Sequence, residues 1–284
     1  MARTTAQKKP RGNKKLPLRG KKLPFDKYDL YLNAVQSPDG DVQFYRERYK
    51  EFFGAPKKGL TLREDFCAGG AISCEWVKLH KDNTSCGLDL DDEPMNYGRQ
   101  NYIAKLKPEQ QRRVALIKKN VLEPGLPKAD IAAATNFSYY IFRDRKTLTD
   151  YFTNVCKSVN KKGLFIVDMF GGTACTDASQ DRIPIRRGFT YYWEQKDFDP
   201  ATNYANFGIH FRYKGKMYKN VFTYEWRMWT IPEIKEMMLE AGFDDVAIYW
   251  EGSKRDGSGN GKFDRVTEGE ACLSWIAYVI GIKK

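Results

Sequence analysis

The sequence predicts an α/β protein built on a doubly wound sheet, with an antiparallel β segment inserted late in the chain. Strand-like and helix-like runs alternate through four units between residues 60 and 170, joined by short loops. Residues 130–136 and 164–170 are almost continuously apolar, as strands covered on both faces must be. From residue 173 to 229 helix signals become few, and aromatic residues fall into partial period-two alternation.

The chain divides into five segments. Residues 1–24 form a polar, Pro/Gly-containing basic tail without periodicity, expected to be disordered. Residues 1–22 hold nine Lys or Arg and no acid, so the formal net charge of +12 shrinks to +3 over the rest. Such a tail either tethers weakly to RNA or another polyanion or only aids solubility. Residues 25–58 carry two helices separated by Ser37-Pro38-Asp39-Gly40, with Tyr28 and Tyr31 on the first and Val42, Tyr45, Tyr49 and Phe52 on one side of the second. Residues 59–172 hold the strand–helix units. The first strand, 60–66, runs into the turn Ala68-Gly69-Gly70 and a helix over 71–79. Small residues there let the backbone approach a ligand, and the helix start offers free N–H groups.

The second strand, 85–91, ends in carboxylates, and Asp92 is placed to cap a helix reaching about 106. The third strand covers 113–118 and leads to Asn120 and Val121. The fourth, 130–136, ends at Asn136-Phe-Ser-Tyr-Tyr140, and a helix over 146–159 with Gly163 beyond its end leads to the fifth, 164–170. Residues 173–229 read as the β insertion, an aromatic wall over the crevice, with hairpin turns at 199–203 and 214–216. Residues 230–284 complete the core. Thr230 caps a helix with Pro232 in its first turn and Gly242 past its end. A strand over 243–250, a flexible loop over 252–261 and a final strand over 271–282 follow.

Composition excludes several classes. No apolar run approaches the roughly 18 residues a membrane span needs, and no apolar signal region follows the basic N-terminus. Six cysteines without C-x-x-C spacing and two histidines argue against a zinc site, so no metal is expected. The reading is a cytoplasmic protein with free thiols and no membrane contact.

The G-x-G-x-x-G of a dinucleotide site is absent. What stands at the first turn, Asp65-x-Cys67-x-Gly69-x-Ala71, resembles motif I of the class I S-adenosylmethionine (SAM) methyltransferases, whose usual form is acid-x-Gly-x-Gly-x-Gly. Tyr28-x-x-Tyr31, Leu62-Arg-Glu-Asp-Phe-Cys67, Glu75-Trp-Val77, Gly87-Leu-Asp-Leu-Asp91 and Tyr224-Glu-Trp-Arg-Met-Trp229 are similar to those of a bacterial subgroup. The resemblance implies a Rossmann-like seven-stranded sheet ordered 3-2-1-4-5-7-6 with the last strand antiparallel, and SAM as cofactor. It implies cofactor contacts at Tyr28, Tyr31, Asp65, Cys67, Ala68, Gly69, Gly70, Asp89, Leu90, Asn120, Val121, Asn136 and Phe137. Within that set Asp65 and the turn backbone take the amino-acid end, Asp89 the ribose diol, the Asn120 carbonyl the adenine amino group, and Leu90 and Val121 the ring faces. Tyr139 is the candidate for orienting or deprotonating the acceptor. Tyr140, Trp193, Trp226 and Arg227 are substrate candidates, Arg227 serving either an anionic substrate or a surface salt bridge. The tyrosines at 28 and 31 serve either the cofactor or an aromatic packing face. Four readings stay open: methyl transfer to an N or O of a small molecule, to RNA or ribosomal protein through the tail, SAM binding without catalysis, or an NAD dehydrogenase.

Overall fold

The computed structural model describes residues 23–284, so the expected disorder of the basic tail lies outside the described residues. Helices α1 (Lys27–Val35) and α2 (Pro38–Phe53) open the chain. Asp26 caps α1 by accepting the N–H groups of Tyr28 and Asp29. The segment read as a breaker belongs to α2, because Pro38 suits a helix start. Then come β1 (Thr61–Asp65), α3 (Ala71–Leu79), β2 (Thr84–Asp89), α4 (Asp92–Asn101), a single turn α5 (Pro108–Gln111), β3 (Val114–Lys118) and β4 (Ala129–Ala134). The cap of α4 is Asp91, one residue before the expected Asp92.

Next are α6 (Arg145–Ser158) and β5 (Val159–Gly171), then four insertion strands, β6 (Ser179–Ile185), β7 (Phe189–Asp199), β8 (Tyr204–Tyr213) and β9 (Lys216–Arg227). Helix α6 passes directly into β5 at Val159, so Gly163 lies within the strand and does not cap the helix. The chain closes with α7 (Ile231–Glu240), β10 (Asp245–Ser253), β11 (Gly259–Val266) and β12 (Trp275–Lys283). The capping box of Thr230 and Glu233 starts α7 as expected.

The main sheet has eight strands in the order β11-β10-β12-β5-β4-β1-β2-β3. Strands β1 to β5 are parallel, and β12 runs antiparallel between β5 and β10. The expected seven-strand order is therefore present, with β12 as the antiparallel strand. The eighth strand shortens the expected loop over 252–261 to 254–258: β10 runs to Ser253, and β11, from Gly259, pairs antiparallel with β10 at the edge. Its sequence is polar and Gly-containing because one side faces solvent, and Phe263 anchors it against Phe44 and Tyr278.

Strand alternation sorts the apolar residues into two layers. Ile131, Ala133, Leu164 and Ile166 face α2 and α3 through Val42, Tyr45, Ile72 and Trp76. Ala132, Ala134, Phe165 and Val167 face α6 and α7 through Leu148, Phe152, Ile234 and Met238. Both faces are covered, which is why β4 and β5 read as unbroken apolar runs. The insertion is a separate antiparallel sheet, β6-β7-β8-β9. The two helices expected as a lid separate in role. Helix α2 packs on the main sheet, whereas α1 joins the insertion through Leu30 beside Tyr191, Ile209 and Phe211. Among the described residues no helix is long and apolar enough to cross a membrane, and no group of His, Cys, Asp and Glu has metal-binding geometry.

Candidate functional site

The carboxyl ends of β1, β2, β4 and β5 form one edge, where an open parallel sheet places its ligand crevice. After β1 the chain turns through Phe66, Ala68 and Gly70, all left-handed at φ 57°, 46° and 70°. That conformation is free only to glycine. The spacing acid-x-Gly-x-Gly-x-Gly therefore falls on Glu64, Phe66, Ala68 and Gly70, one residue before the register read from the sequence. Glu64 ties strand to helix: its carboxylate accepts the Ser73 N–H at 2.9 Å and the Ser73 O–H at 2.7 Å. Burial pushes the Glu64 carboxyl up to about 7, against the pull of those two bonds.

Asp65 faces the other way, into the layer under α6. Arg63 Nε and Nη2 donate to its two oxygens at 2.8 and 3.2 Å, and the Tyr151 hydroxyl donates at 2.8 Å. Both side chains of the ion pair are fully buried. The assignment of Asp65 to the cofactor's amino-acid end is corrected accordingly, since its partners are internal. Cys67 is also turned inward, its sulfur lying where any side chain on Gly87 would stand. Gly69 is small for packing: a methyl group on it would stand 2.8 Å from the Tyr102 ring, and one on Gly98 of α4 would stand 1.9 Å from the Gly69 carbonyl oxygen.

Asp89 ends β2 beside this turn. Its oxygens accept the Ala68 N–H at 2.8 Å and the Asp91 N–H at 2.9 Å, leaving further lone pairs for a ligand. Leu90, the residue after β2, is 58% exposed, and Val121, past the end of β3, is buried. The Asn120 carbonyl, assigned to adenine, accepts the Leu122 N–H at 3.0 Å, so its amide NH₂ is the more available end.

Asn136 and Phe137 are both left-handed, at φ 57° and 56°. One side chain holds them: Asp168, near the end of β5, accepts their N–H groups at 2.7 and 2.8 Å. Burial pushes its carboxyl up to about 7 while the two N–H groups oppose the shift. The next two residues correct the sequence reading. Tyr139 is fully buried and donates to the Asp168 carbonyl at 3.0 Å, and burial raises its hydroxyl further from the reactive range. It is a core residue beneath the loop, unsuited to take a proton from an acceptor. Tyr140 is likewise fully buried, stacked on Phe170.

Beyond Asn136 and Phe137 opens a cavity of about 480 Å³ between the two sheets. Tyr31, Phe170, Trp193, Tyr224 and Trp226 line it. Tyr31 bonds to Tyr224 and packs on Phe222, and burial pushes its hydroxyl up to about 12. Tyr28 packs between Tyr97 of α4 and Phe222 of β9, next to the Lys27–Glu93 ion pair at 2.7 Å. Helix α1 thus spans from the core to the insertion. Arg227 lies away from the cavity. It stacks on Trp229 at 3.8 Å, donates to the Arg143 carbonyl at 3.1 Å and pairs with Glu233 at 3.2 Å, so its role is to anchor α7.

Sequence reasoning missed Glu64 and Asp168. Each had a visible signal: a carboxylate within a strand otherwise bound for the core is kept only where donors await it.

The sequence matches no known family model and no curated protein. Solved structures do match. A SAM-dependent methyltransferase from Clostridium acetobutylicum aligns at 17% identity with a TM-score of 0.64, over 90% of this chain and 96% of that one. The CcbJ methyltransferase from Streptomyces caelestis aligns at 13% and 0.64, over 88% and 98%. CalS10, an amino pentose methyltransferase from Micromonospora echinaspora solved with SAM bound, aligns at 12% and 0.61, over 91% and 98%. At such identities the likeness is one of architecture, and on that ground the chain has the fold of the SAM-dependent methyltransferases.

Proposed function

We propose that the chain is a SAM-dependent methyltransferase whose acceptor is an N or O nucleophile of a small molecule. The observation that carries this reading is the adjacency of two features. A left-handed turn at 66, 68 and 70 enters α3 beside Asp89 and the exposed Leu90, and the crevice continues past Asn136 into an aromatic cavity. The cofactor supplies a methyl group on a positively charged sulfur that leaves as a neutral thioether, so no acid is needed for departure.

The chain's own residues have four tasks. The turn backbone and the start of α3 receive the amino-acid end, beside the Asp89 carboxylate. Asp89 accepts from the ribose hydroxyls. Leu90 and Val121 flank the adenine, and Asn120 meets its edge. Asn136 and Phe137, fixed by Asp168, border the methyl, while the aromatic walls keep water out and hold the acceptor in line. Small acceptors are supported by the size of the cavity, about 480 Å³, and by neighbours described as an amino pentose methyltransferase, a sugar N-methyltransferase and a glycopeptide N-methyltransferase.

The nine cations of residues 1–22 favour a second reading, an RNA or ribosomal-protein acceptor. Labelled SAM, incubated with the protein and a cell extract, separates the two. The small-molecule reading expects label that survives nuclease and protease and a rate changed less than about twofold by deleting residues 1–22. Label in RNA or protein that falls with the deletion supports the tethered reading. SAM binding with no label transferred supports a non-catalytic one.

A further inference from the structure

The cavity next to Asn136 has a chemical bias that the methyltransferase reading alone does not require. Nine of its lining residues are aromatic, and two, Asp181 and Glu251, are carboxylates. No Lys, Arg or His lines it, in a chain that carries 48 Lys and Arg. A pocket for a phosphate, sulfate or carboxylate ester needs a cation or a set of aimed N–H donors. This one offers ring faces and negative charge, the combination that attracts an ammonium group.

Its electrostatics are uncompensated within the fold. Asp181 stands at the rim on β6, and Glu251 on β10 accepts the Gly261 N–H at 2.9 Å. Neither makes an ion pair among the described residues, whereas most carboxylates on α4, α6 and α7 that face a Lys or Arg do. The rings are arranged as a wall. Tyr224 and Trp226 stack with centroids 4.5 Å apart, and Trp193 lies 6.0 Å from Trp226. The Trp226 indole N–H is buried without a hydrogen-bond partner among the described residues. A donor left so is costly unless a bound molecule accepts from it.

Resting on the methyltransferase reading for its place beside the methyl, we infer that the acceptor pocket selects a protonated amine with an apolar or aromatic body and rejects anionic acceptors. The body lies against Trp193, Tyr224 and Trp226, and the ammonium faces the rim carboxylates Asp181 and Glu251, losing a proton to one of them before its freed lone pair takes the methyl from the sulfonium.

Three probes of one shape test this with the full chain: 2-phenylethylamine, 2-phenylethanol and 3-phenylpropionate. Their dissociation constants are measured by ligand-observed NMR with S-adenosylhomocysteine present, so that no turnover occurs. The amine is expected to bind at least about tenfold more tightly than the alcohol, with the carboxylate weakest. In the Asp181→Asn/Glu251→Gln variant, with melting temperature unchanged, the amine-to-alcohol ratio is expected to approach one. Equal binding of the three probes, a preference for the carboxylate, no binding of the amine, or an undiminished ratio in the variant overturns the inference. Calorimetry of S-adenosylhomocysteine on the same samples keeps the two readings apart. Cofactor binding without amine preference removes this inference alone, and absence of cofactor binding removes the methyltransferase reading.

Discussion

Arg63 and Asp65 show how one substitution separates structure from cofactor binding. Replacing Asp65 by Asn leaves the Arg63 guanidinium, fully buried, with only the Pro127 carbonyl and the Ser158 hydroxyl as full partners. An uncompensated buried charge costs about 3–5 kcal/mol. Chemical denaturation of Asp65→Asn is expected to give a loss of that size. If the variant keeps its stability and loses only SAM affinity, Asp65 belongs to the cofactor after all. Tyr151 adds a further bond to the same carboxylate, so the network joins β1 to α6. The resemblance pointed to an acid near residue 65. It could not tell which of two adjacent acids serves the loop, because strand alternation sends Glu64 and Asp65 to opposite faces.

At the scale of elements, α4 and the turn before α3 meet backbone to backbone. Gly98 stands against the Gly69 carbonyl, and any side chain on Gly69 would strike the Tyr102 ring at 2.8 Å. Gly98→Ala therefore forces α4 and the turn apart. It is expected to lower both the denaturation midpoint and SAM affinity by more than the about 1 kcal/mol that a Gly-to-Ala exchange can return through chain entropy. A neutral or stabilising effect would show the contact to be loose. Much of this architecture was legible in the sequence: the five parallel strands, the helices after the first, second and fourth of them, the aromatic insertion, its two hairpin turns and the capped α7 all follow from local pattern. What escaped were features that depend on partners distant in the chain. The register of the turn was misread because Ala68 and Phe66, rather than glycines, take left-handed positions. Strand β11 went unread, its start at 259–261 taken as loop, because its only apolar anchors, Phe263 and Val266, take meaning from Phe44, Tyr278 and Ile248. Tyr139 and Tyr140 carried reactive groups in the right segment, yet the short helical turn points both inward.

Over the whole molecule, buried acids lie on both sides of the sheet edge and share one electrostatic consequence. Burial pushes the carboxyl of Asp41 up to about 6 and those of Glu64 and Asp168 up to about 7. Each holds a proton in the folded chain at pH values where the unfolded chain has released it. The folded state thus binds more protons between about pH 4 and 7, and stability falls as pH rises through that window. Thermal melting at about pH 5 is expected to exceed that at about pH 8, with the difference reduced in Asp41→Asn. A melting temperature that rises over this interval would mean that these acids are ionised and satisfied in the fold. The two that hold the site loops, Glu64 at the first turn and Asp168 at Asn136–Phe137, link that dependence to the crevice.

The most direct measurement is calorimetric titration of SAM into the wild-type chain and into Asp89→Ala, with NAD titrated as the comparison. Saturable SAM binding that weakens by at least about tenfold in the variant, with its melting temperature kept and no heat from NAD, is the expected result, since a charged hydrogen bond is worth roughly 1.5–3 kcal/mol. No SAM binding to the wild-type chain, equal affinity in the variant, or saturable binding of NAD would contradict the account.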